Sequence, residues 1–338
     1  MTRIGLMGFG RIGRNLFRQL ADHPTLEVAA IVDTAEPEGL TYLLKYDSIY
    51  GRFATPVSLS GGNLLMEDRK IPFSNAREPG DFDWSSVGAD LVVSAVGKYR
   101  TAAWCEKHLE RGAGSVVLAS TPERLGEIPI LLRGVNDEIL TVETKIVALG
   151  SNTSNALAPV LRILDAAFGL ERAMFTTVHA MTNTQRLADV PSEGFRSSRA
   201  AGENIIPSET NSAEILAAVL PEFVDKLKGV ALNVPVADGS TVDLVAHLRE
   251  PTSKEAVNAA VAAAAAGRYL GVLEFSTDPI VSSDVRGSSH SGVFDSLATI
   301  VMEGTLAKTI TWFNNGWGYA ARIVEVLERM AERTGAKV

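Results

Sequence analysis

Two residue groupings in this chain could do chemistry. His179 ends the stretch Phe175-Thr176-Thr177-Val178-His179-Ala180, where a strand gives way to a loop, and an imidazole there is a candidate general base. The polar run Gly150-Ser151-Asn152-Thr153-Ser154-Asn155-Ala156 leads into an apolar-periodic segment and supplies helix-capping residue types. Neither stretch contains a thiol. The only Cys of the 338 residues is Cys105, within Ala102-Ala103-Trp104-Cys105-Glu106-Lys107-His108-Leu109, where it reads as a packing residue of a helix. His179 and Asn152 therefore offer a base and an amide. With a hydride-accepting cofactor, a base is enough to oxidise an alcohol or an aldehyde hydrate without a covalent step. Asn152 would then donate a hydrogen bond to the substrate oxygen. The plainer alternatives are a hydrogen-bonding His179 at a strand end and an Asn152 that only caps a helix.

A cofactor of that kind has a signature at the other end of the chain. Residues 3–7 form a short apolar strand, followed by Gly8-Phe9-Gly10-Arg11-Ile12-Gly13-Arg14 and a helical pattern over 15–23 with Leu16, Phe17 and Leu20 on one face. This is G-x-G-x-x-G between a strand and a helix. Gly8 permits the tight turn, Gly10 lets a pyrophosphate approach the backbone, and Gly13 allows close helix–strand packing. The helix N-terminus then offers free N–H groups to the phosphates. A second strand over 27–32 ends at Asp33, 20 residues beyond Gly13. A carboxylate there accepts from the ribose hydroxyls and repels a 2′-phosphate, so NAD is the expected cofactor.

The elements that must position these groups alternate. Apolar strands over 90–95 and 115–119 flank a helix over 101–111, and strand–helix alternation predicts a doubly wound parallel sheet of the α/β class. A strand over 144–149, a polar turn over 151–155 and a helix over 156–168 follow, then a strand from 173 to His179. The irregular stretch 180–207 is long enough to be functional or interfacial. Strands at about 229–236 and 241–249 come next, the latter alternating Val242, Leu244 and Ala246 with Asp243, Val245 and His247. The change of character near residue 150 predicts a cofactor domain over 1–150, completed by a C-terminal helix over 317–338. A substrate domain over 151–316 carries the long loop 180–207. A chain of 338 residues can hold two such cores. A net charge of −8 argues against nucleic acid as the main partner. No apolar run approaches the roughly 20 residues of a membrane helix. The chain enters a strand immediately after Met1-Thr2, so no signal peptide and a cytoplasmic location are expected. His23, His108, His247 and His290 form no ligand cluster in the sequence, and no metal is expected.

Over nearly its whole length the chain resembles glyceraldehyde-3-phosphate dehydrogenase. The resemblance rests on Ile4 to Arg14, Lys45-Tyr46-Asp47-Ser48, Gly134-Val135-Asn136 and Leu157-Ala158-Pro159. It continues through Thr176-Thr177-Val178-His179-Ala180, Asn204-Ile205-Ile206-Pro207-Ser208, Ser282-Ser283-Asp284 and Asn315-Gly316-Trp317-Gly318-Tyr319. It implies a Rossmann-type domain for NAD, an α+β substrate domain with a mixed sheet, a small-molecule substrate, and a homotetramer in which the 180–207 loop meets a neighbouring subunit. It also implies NAD contacts from Gly8, Gly10, Arg11, Ile12, Gly13, Asp33, Gly97 and Ser120, with Asn315 on the nicotinamide carboxamide.

The chain departs from that family at the reaction centre. The family's Ser-Cys-Thr-Thr-Asn-Cys is here Ser151-Asn152-Thr153-Ser154-Asn155-Ala156. Acylating aldehyde oxidation needs a thiolate, and an amide is no nucleophile, so no thioester forms at Asn152. An Arg that helps bind the substrate's phosphate is replaced by Asn233, while its partners Thr182 and Thr184 remain. Losing such a charge-assisted pair removes about 1.5–3 kcal/mol of anchoring. A second anion site keeps Ser151, Thr210 and Arg199 beside Thr153, with Asn211 in place of a Gly. Phe313, Gly316 and Ser94-Ala95-Val96 replace family residues near the nicotinamide. Two readings follow: an NAD-dependent oxidoreductase that does not acylate and takes a small polar or anionic substrate, or an NAD-binding sensor or scaffold without catalysis. Non-redox chemistry on the same fold is a third, with no residue that argues for it.

Overall fold

The computed structural model describes residues 1–333; the end of the expected C-terminal helix, 334–338, lies outside the described residues. The chain forms two compact units. One comprises Met1–Leu131, Asn136–Gly150 and the chain from Tyr319 onward; the other comprises Leu132–Val135 and Ser151–Gly318.

In the first unit, six parallel strands lie in the order Ile146–Ala148, Ser115–Leu118, Leu91–Ser94, Thr2–Met7, Leu26–Val32 and Arg69–Ser74. Antiparallel Asn63–Met66 and Val57–Ser60 extend that edge. Successive strands wind outward in opposite directions from Thr2–Met7, which places a switch point beside its C-terminal end. Both faces are covered, so the central strands are apolar throughout. On one face Ile4, Leu6, Leu16, Phe17 and Leu20 share a core with Tyr319, Ile323, Val326, Leu327 and Met330 of the Trp317–Arg333 helix. The other face buries Met7, Val32, Val92 and Trp84. Cys105 is buried in the Ala102–Glu110 helix, and burial, with Glu127 and Glu106 nearby, pushes its thiol up to about 12. It is the inert packing residue its setting implies.

The second unit is a seven-stranded mixed sheet in the order Ile206–Ser208, Leu227–Asn233, Leu170–His179, Ser240–Leu248, Leu306–Phe313, Gly292–Met302 and Leu273–Ser276. Leu227–Asn233 and Leu170–His179 run parallel, as do Leu273–Ser276 and Gly292–Met302; the other neighbours are antiparallel. Val242, Leu244 and Ala246 are buried and alternate with partly exposed Asp243, Val245 and His247, as their period of two requires.

Several element boundaries differ from the sequence expectation, among them the strand expected at about 229–236, which is Leu227–Asn233. The first helix is Arg11–Leu20, not 15–23, because extended Gly10 serves as its N-cap and the glycine motif itself forms the first turn. The second-unit helix is Asn152–Phe168, not 156–168. The residues read as a polar turn are its first turn, with Ser151 as the cap and Ser154 completing a capping box. Asn152 is therefore not the cap. The strand leading to His179 begins at Leu170, three residues earlier than expected, and the 180–207 loop ends in a short strand.

Candidate functional site

The residues expected to hold the cofactor, other than Asn315, gather at the C-terminal ends of the parallel strands in the first unit. Gly8 follows Thr2–Met7 with φ +97°, and a Cβ there would lie 2.8 Å from the Ala95 backbone. Any other residue at that position would be strained and in collision. A Cβ on Gly13 would lie 2.1 Å from the Gly8 carbonyl oxygen, so the helix packs directly on the turn. At Gly10 the space is open, and no side chain caps the helix. Its first N–H groups are left for an anion. Asp33 braces the turn: Oδ2 accepts from the Phe9 N–H at 2.7 Å and Oδ1 from the Ala35 N–H at 2.9 Å. Each carboxylate oxygen keeps lone-pair capacity for a ribose hydroxyl. Gly97 and Arg11 are exposed, Ile12 is half-buried, and the buried Ser120 Oγ has no partner within the protein. A glycine turn open to close approach, a helix with no side-chain cap and an orphaned hydroxyl fit a dinucleotide.

The other candidates lie in the second unit, around a cavity of about 570 Å³. His179 and Asn233 are register partners at the ends of two parallel strands, and both line it. Ser151, Thr153, Thr182 and Thr210 line it as well. Ser151 Oγ accepts from the Ser154 N–H at 3.0 Å and lies 3.1 Å from Ser212 Oγ, which Thr210 Oγ1 also contacts at 3.1 Å. Thr184 meets the site through Thr182, hydroxyl to hydroxyl at 2.9 Å. Arg199 is elsewhere. It is absent from the lining and pairs with Asp189 at 3.0 Å on the exposed loop. The expectation that Arg199 shares an anion site with Ser151 and Thr210 is not met within this chain, because Asp189 is its local counter-ion.

His179 is held neutral. Its pKa is pushed below the ordinary 6.5 by burial, opposed by a hydrogen bond to the Ala180 carbonyl and by the Asp238 charge. The Nδ1–O distance to Ala180 is 2.7 Å. A carbonyl only accepts, so the neutral ring carries its proton on Nδ1 and leaves the Nε2 lone pair free. Asn152 is not part of the cavity lining. Its Oδ1 accepts from the Thr153 N–H at 2.8 Å, and its Nδ2 donates to the Asn315 carbonyl at 3.2 Å. Asn152 thus braces the Asn315 segment with one of its two amide hydrogens.

Three residues that sequence reasoning passed over complete this network. Ser240 Oγ accepts from the Ala180 N–H and donates to Asn315 Oδ1, both at 2.9 Å, linking the backbone beside His179 to Asn315. Asn314 donates to buried Asp238 at 2.8 Å and accepts from the Gly316 and Trp317 N–H groups at 3.0 and 2.6 Å. The adjacent Asp238-Gly239-Ser240 turn was the available signal. Phe313 closes the group, its ring 6.1 Å from His179, edge to face.

Among the described residues, no group of three or more His, Cys, Asp or Glu is placed to hold a metal, and no helix is long and apolar enough to cross a membrane. Residues 2–102 match the family model for the NAD binding domain of glyceraldehyde 3-phosphate dehydrogenase, and residues 151–315 match that for its C-terminal domain. The chain is 40% identical over 333 residues to a glyceraldehyde-3-phosphate dehydrogenase of Geobacillus stearothermophilus, covering 98% of this chain and 99% of the relative. It is 41% identical to one from Priestia megaterium, with the same coverage. A Schizosaccharomyces pombe relative is 38% identical over 335 residues, 98% of this chain and 99% of its own. NAD is the cofactor, on an α/β fold whose second unit carries a mixed sheet. The chain belongs to the glyceraldehyde-3-phosphate dehydrogenase family.

Proposed function

We propose that this protein is an NAD-dependent oxidoreductase that transfers hydride without forming a thioester. The observation that carries the reading is His179, a neutral imidazole whose Nδ1 is committed to Ala180 and whose Nε2 is free on a cavity wall. NAD, when bound, supplies the hydride acceptor. His179 Nε2 takes the hydroxyl proton of a carbinol or aldehyde hydrate as the carbon loses hydride, and the carbon becomes a carbonyl or carboxyl carbon. Asn315, positioned by Ser240 and Asn152, would orient the carboxamide. Gly8, Gly10, Arg11, Ile12, Gly13, Asp33, Gly97 and Ser120 would hold the rest of the cofactor. Asn152 supports this as a positioning residue.

The same reading takes the protein to be a homotetramer. Met174, Val230, Ile300 and Met302 are exposed on one face of the second unit's sheet, as the strand register shows through Thr176↔Val230, Met174↔Val245, Val245↔Lys308 and Ile300↔Lys308. An apolar sheet face of that kind supports association.

The test is a screen of purified protein with NAD against phosphorylated and unphosphorylated three- and four-carbon aldehydes and alcohols, following absorbance of the reduced cofactor. Turnover is expected, falling about 10²–10⁴-fold in His179→Ala. Tight NAD binding with no turnover on any substrate would leave the non-catalytic reading in its place.

A further inference from the structure

A base that takes a proton gains a positive charge, and the surroundings of His179 are poorly suited to one. Its cavity is lined by the first residues of two helices, Asn152–Phe168 and Ser212–Val219. Helix N-termini carry positive partial charge, which opposes an imidazolium. Burial opposes it as well. Glu209 and Glu214 line the same cavity, but both are exposed, and water and salt screen them. The carboxylate whose field favours the protonated ring is Asp238, 1% exposed.

Asp238 lies on the segment that grips the backbone of the base. The Val234 N–H donates to the His179 carbonyl at 2.9 Å, and the Met181 N–H donates to the Val236 carbonyl at 2.8 Å. The Ala180 N–H donates to Ser240 Oγ at 2.9 Å, and the Ala180 carbonyl holds the ring through Nδ1. Asp238 falls between Val236 and Ser240 in this bracket. It accepts from Asn314 Nδ2 at 2.8 Å, and Asn314 Oδ1 fixes the Gly316 and Trp317 N–H groups on the turn that carries Asn315. Burying a carboxylate is costly, and an amide of the same shape would still accept from Asn314 without that cost. The hydrogen bond alone therefore does not account for an acid at this position.

We propose that Asp238 is a positioning residue for His179, supplying from within the protein the counter-charge for the imidazolium that forms when Nε2 takes the substrate's hydroxyl proton. The inference rests on the oxidoreductase reading, in which hydride leaves for NAD as that proton moves. The negative charge is fixed in place before the reaction, so little reorganisation is needed when the ring charges.

The test is a pH titration of the whole protein labelled with ¹³C at histidine Cε1, followed by nuclear magnetic resonance. The chain has five histidines, and His179→Gln assigns the signal of interest. In Asp238→Asn the His179 signal is expected to titrate at lower pH than in the wild type, with circular dichroism unchanged. Asp238→Ser, which also removes the charge and leaves room for a water on Asn314, should move it the same way and serves if the Asn variant folds poorly. On a substrate found by the oxidoreductase screen, the acid limb of kcat/KM should move to lower pH. The plateau of kcat should fall about tenfold, less than the 10²–10⁴-fold expected on losing the base itself. A purely structural Asp238 would leave both the titration and the acid limb in place in Asp238→Asn. An unmoved His179 titration in both variants would overturn the proposal. A lowered titration without turnover on any substrate would sink the oxidoreductase reading alone, and turnover with an unmoved titration would sink the role of Asp238 alone.

Discussion

At the scale of single residues, position 152 decides what the site can do. Asn152 occupies the first position of a helix whose cap is Ser151, where a thiol would feel the helix N-terminus and its pKa would fall. An Asn152→Cys variant should therefore alkylate readily with iodoacetamide, while Cys105, buried and pushed up to about 12, should not. The acylating reaction should still be poor, because Asn233 provides no cation for a phosphate. Adding Asn233→Arg should raise acyl phosphate formation from glyceraldehyde 3-phosphate at least about tenfold over the single variant. A single variant turning over at about 1–10³ s⁻¹ would show that the phosphate anchor is immaterial and that the thiol alone was missing. That no thiol stands between Gly150 and Ala156 was legible in the sequence. The positive role of Asn152 was not: the carbonyl it braces belongs to Asn315, 163 residues away. Ser240, 75 residues from Asn315, was invisible for the same reason. Spacing reports local geometry only, and this network joins a helix start, the start of a strand and the turn after another strand.

At the scale of elements, the glycine turn, the second strand and the buried faces of the strands were legible because each depends on neighbours a few residues away. The helix starts were not. The turn that Ser151 caps is Asn152-Thr153-Ser154-Asn155, residues that taken singly favour caps and turns, and the turn after Gly10 carries a further glycine, Gly13. A different blind spot is His108, which shows no function in sequence and reads as one of several isolated histidines. In the structure it lies fully buried, and its Nδ1 accepts from Trp84 Nε1 at 2.9 Å, while its Nε2 has no partner. Burial pushes its pKa down from 6.5 to about 4. The unfolded chain takes up this proton near pH 6.5 and the folded chain only near pH 4, so unfolding gains a proton between the two. The stabilising contribution of the neutral ring is thus complete above pH 6.5 and is lost as pH falls through that window. At about 1.4 kcal/mol per unit the loss approaches 3 kcal/mol. Urea unfolding at pH 7 and pH 4.5 should show a steeper loss of stability in the wild type than in His108→Gln, which keeps an acceptor for Trp84 and does not titrate. Identical pH slopes would mean that His108 is already charged in the fold.

At the scale of the whole molecule, exposed Met174, Val230, Ile300 and Met302 have no explanation in a lone chain. These side chains stand on the sheet face opposite buried Phe175, Val242 and Leu244, with Val245 in the same row, and are about half exposed or more except Val245. A β-sheet face in water alternates toward polar residues unless something covers it. Charge interrupts the row at Lys308, paired with Asp243 on the neighbouring strand, and toward its edge at Lys228, the register partner of Met174, and Arg172. Homodimer interfaces are enriched in such apolar area and depleted in charge at their centre. Covering this face with a second copy of the same surface is an isologous contact, and a second, separate contact is then needed to reach a tetramer. The exposed Leu187 and Phe195 of the 180–207 loop, 95% and 99% accessible, are the candidates for it. Light scattering of the purified protein at micromolar concentration should therefore give the mass of four chains. Met174→Glu with Ile300→Glu should break the first contact, and Leu187→Ser with Phe195→Ser the second, each giving dimers with unchanged circular dichroism. A wild-type monomer would remove the assembly from the account. A tetramer insensitive to both pairs would mean that other surfaces hold it together.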